Sequence, residues 1–429
     1  MNDGPSDFAD DVVGNEPPKH LLPGEGEPEA KLKTDFQPWH RVRKQFIRDQ
    51  QWNFEIRKAV KRYILRDLQK EPDEWGGDEE AQRELPEDAE LERPLRCLVI
   101  PGDDLLDVRS LWSALRELRC YLRFVGFNET LTSAARRERS ILAQSAAFSL
   151  DKISRGSQVL GDPFQNIAKE QSQAFHLFRQ NGPYHVVNLD LCDSIVPLEG
   201  DSAVRDYYSA IEQLMRYQVR FQTVPWLFFV TTQVEHSAVS QDGMSKLAAP
   251  FRDNFDGHAE FAEEVTKLAP PEAFADTERK LKVDALNGDQ LIRIFGVVFG
   301  KWLLRLLCSA QPKWNVRLLP SYRYVLRPDT GVEMLSLAFL LQPAHVTPVD
   351  RTGMSNLPPP APQQSDELES ALRLVRAAAN VRDVNAVLDS DPALFAQTRE
   401  ASADLMASAG FDRAAYIKWV EDGEILAPV

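Results

Sequence analysis

The chain has 429 residues, 43% hydrophobic and 27% charged, the balance of a soluble globular protein with room for one large domain plus additions, or for two. Its formal net charge of −15 excludes a global attraction to nucleic acid or to an anionic membrane, so any such contact rests on a local basic patch. Cys97, Cys120, Cys192 and Cys308 form no C-x-x-C pair, which indicates neither a zinc knuckle nor a disulfide framework; buried reduced thiols in a cytoplasmic protein are expected.

The start, MNDGPSDFADD, is acidic and lacks an apolar core, which argues against a secretory signal. Residues 1–33 carry Pro, Gly, Asp and Glu with little apolar content, and disorder is expected there. Residues 34–70 are a basic, aromatic, helical extension. Arg41, Arg43, Lys44 and Arg48 lie among Trp39, Phe46, Trp52 and Phe54, while Ile56, Val60, Ile64 and Leu68 recur every four residues. Cations beside aromatic rings suit a nucleic acid, whose phosphates pair with guanidinium groups and whose bases stack on rings. Two other readings stand beside this one: a helix docked through its aromatics with a solvated charged face, or pairing with the chain's own acid. Residues 71–94 are dominated by Asp and Glu and read as a solvated linker.

From Leu95 the pattern changes to short apolar runs separated by amphipathic helices, which predicts βαβ units and a parallel sheet. A first strand, Leu95 to Ile100, turns through Pro101-Gly102-Asp103-Asp104 into a helix. A second, Leu122 to Phe127, ends in Asn128-Glu129. The third ends in Gly161-Asp162-Pro163-Phe164, and the fourth, Tyr184 to Leu191, runs into Cys192-Asp193-Ser194. Ligands bind such sheets at the carboxyl ends of the strands, so these acids form a row along one rim. A fifth strand, Val224 to Thr231, is followed by helical material over Met244 to Leu268 and Gly288 to Ser309. The second of these is apolar, but Arg293, Lys301 and Arg305 interrupt it, so it reads as buried against the sheet and not as a membrane span. Asn315 to Leu326 and Val332 to Leu341, joined by Arg-Pro-Asp-Thr-Gly, read as an antiparallel pair.

Over residues 95–342 this order of elements resembles the class I S-adenosylmethionine-dependent methyltransferase fold, a doubly wound α/β sheet of Rossmann type. The resemblance implies that Pro101, Gly102, Asp103 and Asp104 hold the methionine end of S-adenosylmethionine, Glu129 its ribose, and Asp162 with Phe164 its adenine. Asp190 and Asp193 would face the target and orient its nucleophile. The letters depart from the family: the first loop has a single glycine, and NLDLCDS is neither the Asn/Asp-Pro-Pro-aromatic box nor a Pro-Cys nucleophile.

Residues 343–364 carry clustered prolines and read as a linker. Residues 365–429 form a small helical module, too short for an independent core, expected to pack on the main domain or on a protein partner. Three functions follow. One is a methyltransferase acting on a nucleic acid held by residues 38–70. The second is a methyltransferase-like binding subunit without catalysis, for example within a bacterial multi-protein system of anti-phage defence. The third is a metal-dependent enzyme using Asp103, Asp104 and Asp107.

Overall fold

The computed structural model describes residues 32–65, 94–116, 118, 120–129, 134–191, 193–196, 207–310, 312–327, 332–344 and 366–424. The expected disordered N-terminus, acidic linker and Pro-rich linker lie almost wholly outside these residues, as do Cys192 and Leu68. The architecture is mixed α/β around one nine-stranded sheet. Its strands are β1 (Leu95–Val99), β2 (Leu122–Phe127), β3 (Gln158–Leu160), β4 (Val186–Asp190), β5 (Trp226–Gln233), β6 (Trp314–Leu318), β7 (Tyr322–Arg327), β8 (Val332–Pro343) and β9 (Arg382–Asp383). They lie in the order β3-β2-β1-β4-β5-β8-β7-β9, with β6 also on β8. The first five run parallel; β8 runs antiparallel to β5, β6 and β7.

Alternation along the strands divides the core in two. Leu98, Val125, Val187 and Phe228 belong to a cluster with the helices Tyr207–Phe221 and Gly288–Cys308. Cys97, Phe124, Val186 and Phe229 belong to another, with the helix Leu106–Arg116, the N-terminal segment and the helices after residue 383. Period-2 side-chain direction sends neighbours to opposite faces, and both faces are covered, so these strands are mostly apolar, with Arg96, Arg123 and Asn188 among the exceptions.

The stretch expected as one strand from Asn315 to Leu326 is two. Val316 and Leu318 pair with the outer half of β8, Tyr322 and Tyr324 with its inner half, and Pro320 falls between. Proline has no N–H to give the ladder, which breaks there. The helical material over Met244 to Leu268 is three short helices, Gln241–Leu247, Ala249–Gly257 and Ala259–Thr266. Gly288–Cys308 is buried along most of its length; Asn287 and Gln290 form a reciprocal cap at its start, and Lys301 pairs with Glu367. Among the described residues no helix is long and apolar enough to cross a membrane.

The basic extension is helical from residue 42 to 64 and includes two π-helical stretches, Arg48–Asn53 and Val60–Ile64. Its Ile56, Val60 and Ile64 are buried against the sheet, as the four-residue spacing predicts. The C-terminal residues pack on the sheet and on the N-terminal segment. β9 extends the sheet beside β7, and Phe411 and Tyr416 stack on or against Phe36 of the N-terminal segment.

Candidate functional site: the carboxyl rim of the sheet

The rim lies where β1 to β4 end, and its acids are already engaged. After β1, buried Leu105 takes a left-handed backbone (φ 54°), a conformation that costs a branched side chain on the order of 1 kcal/mol. Its N–H donates to the Gly102 carbonyl at 3.1 Å, closing the loop. A Cβ on Gly102 would meet nothing within 4 Å, so crowding does not demand glycine there. The crowded glycine is Gly126 on β2, where a Cβ would come within 2.9 Å of Pro101. Asp103 accepts from Asn128 Nδ2 at 3.2 Å, joining the ends of β1 and β2. Asp104 accepts from Lys33 Nζ at 2.6 Å, and Asp107 from Arg48 Nε at 2.8 Å. The three acids that offered a metal site thus have three separate partners; among the described residues no group of His, Cys, Asp and Glu could hold a metal ion.

Glu129 is exposed at the end of β2. Asp162 accepts from Asn166 Nδ2. Phe164, read as a cover for an adenine ring, is 2% exposed and packs edge-on to Phe127, so its ring belongs to the core. At the end of β4, Asp190 meets the Lys44 ammonium. Asp193 is half-buried, and its backbone carbonyl accepts from Thr232 Oγ1 at 3.1 Å and from the Gln233 N–H at 3.3 Å, tying this loop to β5. Two recesses, one of about 10 Å³ beside Glu55 and Arg317 and one of about 290 Å³ beside Ile141 and Leu142, contain none of these acids.

Lys44 is the centre of the arrangement. Its ammonium contacts Asp190, donates to Tyr324 Oη at 3.4 Å and lies 4.6 Å from the centroid of the Trp52 ring. Burial opposes its charge, but the Asp190 carboxylate, with Tyr324 and Asp107, outweighs burial and holds the ammonium above the ordinary lysine range. Burial also pushes the Asp190 carboxyl up, with Lys44 the largest opposing influence. Burial likewise pushes the Tyr324 phenol up to about 12, so it stays neutral. An acceptor held this way is no ready general base, because taking a proton from a target would first require Lys44 to leave.

The cations expected to face a nucleic acid therefore face inward. Arg41, Lys44 and Arg48 are 4%, 2% and 3% exposed. Arg41 donates to the Glu424 carbonyl at 3.0 Å, and Arg43 meets the Glu424 carboxylate at 3.0 Å. Pairing with the chain's own acid was one of the options, and among the described residues Asp107, Asp190 and Glu424 supply it; the acidic run after residue 70 lies outside the described residues. A signal for this is present in the sequence: Arg41, Lys44, Arg48 and Gln51 are spaced by three and four, one polar stripe on one helix face. A stripe of that kind aims at a single surface.

No curated protein matches this chain. The family described as PP_RS20740-like has a model that matches residues 33–421, from the lysine that pairs with Asp104 to the last C-terminal helix, and the chain belongs to that family.

Proposed function

We propose that this chain is a methyltransferase-like binding subunit without catalysis, a doubly wound sheet of Rossmann type whose cofactor rim is filled by its own N-terminal cations. The strand order 3-2-1-4-5 with an antiparallel strand beyond β5 supports the likeness to the methyltransferase fold. The observation that carries the loss of catalysis is the buried Lys44 ammonium on Asp190. The methionine end of S-adenosylmethionine would meet Asp104, which Lys33 already pairs, and a target amine would meet Asp190, which Lys44 already holds. Separating a buried ion pair costs about 3–5 kcal/mol, against about 8 kcal/mol for an entire micromolar binding event. The single-glycine loop after β1 supports the same reading.

A second reading rests on the other end of the rim. Gly102 borders open space and Glu129 is exposed, so the first loop and the ribose position are not covered as the β4 position is. On this reading the chain is a methyltransferase acting on a nucleic acid, with residues 33–48 as a displaceable cover. Calorimetric titration of the full chain with S-adenosylmethionine and with S-adenosylhomocysteine separates the two. No saturable heat at millimolar ligand is expected. Saturable binding that Asp162→Ala abolishes would overturn the first reading in favour of the second.

A further inference from the structure

The outer face of the N-terminal helix carries what its inner face does not offer. Phe54, Lys58, Lys61, Arg62 and Leu65 stand at spacings of three and four, one side of the helix, and none of the five is buried. Phe54 is 51% exposed, and the Lys58 ammonium lies 5.8 Å from its ring centroid. The Arg62 guanidinium lies 5.2 Å from the Tyr63 ring. Arg317 on β6 is also exposed and lines one small recess with Lys58 and Tyr63, so the patch continues from the helix onto the sheet. The one acid of residues 54–65, Glu55, is 4% exposed and sits beneath Lys58.

We infer that this face binds a single-stranded nucleic acid, with Lys58, Lys61, Arg62 and Arg317 on the phosphates and the Phe54 ring under a base. The molecule has a net charge of −15, so a polyanion is repelled elsewhere and drawn to this local positive face. An acidic polypeptide shares the charge complementarity. The exposed ring flanked by cations favours nucleic acid, since every base offers a face to stack on. The inference does not depend on whether the rim binds a cofactor.

Fluorescence anisotropy of a labelled oligothymidine with the full chain at low salt tests it. Saturable binding is expected, with a salt slope that falls by about 2 when three phosphate contacts are lost in Lys58→Glu/Lys61→Glu/Arg62→Glu. Phe54→Ala should weaken binding about tenfold or more. Lys61→Gln/Arg62→Gln, which leaves the Glu55–Lys58 contact in place, should weaken it less but measurably, and guards against misfolding of the triple variant. Charge reversal at Arg137 and Lys169, exposed on other elements, should change nothing. Absence of binding by the wild type, equal loss on reversal at Arg137 and Lys169, or equal competition by polyglutamate with no effect of Phe54→Ala would each overturn the proposal.

Discussion

Lys44 and His40 are both enclosed and yet held in opposite charge states. Lys44 is a buried ion; taking it away leaves the half-buried Asp190 with its main counter-charge gone. Lys44→Ala is expected to lower stability by about 3–5 kcal/mol in urea unfolding, and Lys44→Met combined with Asp190→Asn to restore much of it. His40 is 1% exposed, accepts from the Gln37 N–H at 3.1 Å and packs against Phe411. Burial, with the Arg48 and Lys33 cations nearby, lowers its pKa from 6.5 to about 3. The unfolded chain therefore takes up a proton below pH 6.5 that the folded chain refuses, so stability falls as pH drops from about 6.5 toward 3. At about 1.4 kcal/mol per unit, the whole window is worth on the order of 5 kcal/mol. Comparing the pH dependence of unfolding for wild type and His40→Gln isolates this contribution; equal slopes between pH 6 and 4 would contradict it.

For single elements, the N-terminal helix is fixed to the sheet by polar as well as apolar contacts. Gln51, inside a π-helical stretch, donates to the carbonyls of Pro320 and Ser336 at 2.9 and 3.0 Å and accepts from the Ser336 hydroxyl at 2.6 Å. Gln51, Trp52 and Asn53 of this stretch are all buried, as Lys44 to Ile47 are in the turn before it. Gln51→Leu should cost about 1–3 kcal/mol by stranding two carbonyls, read as a shift in the urea midpoint. The apolar half of this helix was readable in the sequence because Ile56, Val60 and Ile64 repeat with the helical period. The five parallel strands were readable for a similar reason: each is a short apolar run bounded by turn residues. The break at Pro320 was signalled by the proline itself, within a run whose apolar content argued for continuity.

Across the whole molecule, partners far apart in sequence escaped the reading. Lys44 and Asp190 are 146 residues apart, and Arg43 and Glu424 are 381 apart. A basic segment has the same composition whether its cations meet water, phosphate or its own protein's carboxylates. Strand ends place the rim acids; only the packing of residues 33–48 and the C-terminal helices over one sheet face shows what neutralises them. Residues 33–40 and 410–416 meet there: Lys33 N–H donates to the Gly410 carbonyl at 3.0 Å, and Tyr416 Oη donates to the His40 carbonyl at 2.7 Å. Phe164, expected at the ligand, is core because the turn after β3 folds back under β2.

Hydrogen exchange on the full chain, with and without millimolar S-adenosylhomocysteine, tests the self-filled rim most directly. The amides of residues 42–64 should exchange as slowly as those of β4, and the nucleoside should leave both unchanged. Exchange of that helix within seconds while β4 stays protected, or a change at residues 42–64 and at the loop after β1 on adding the nucleoside, would contradict the account.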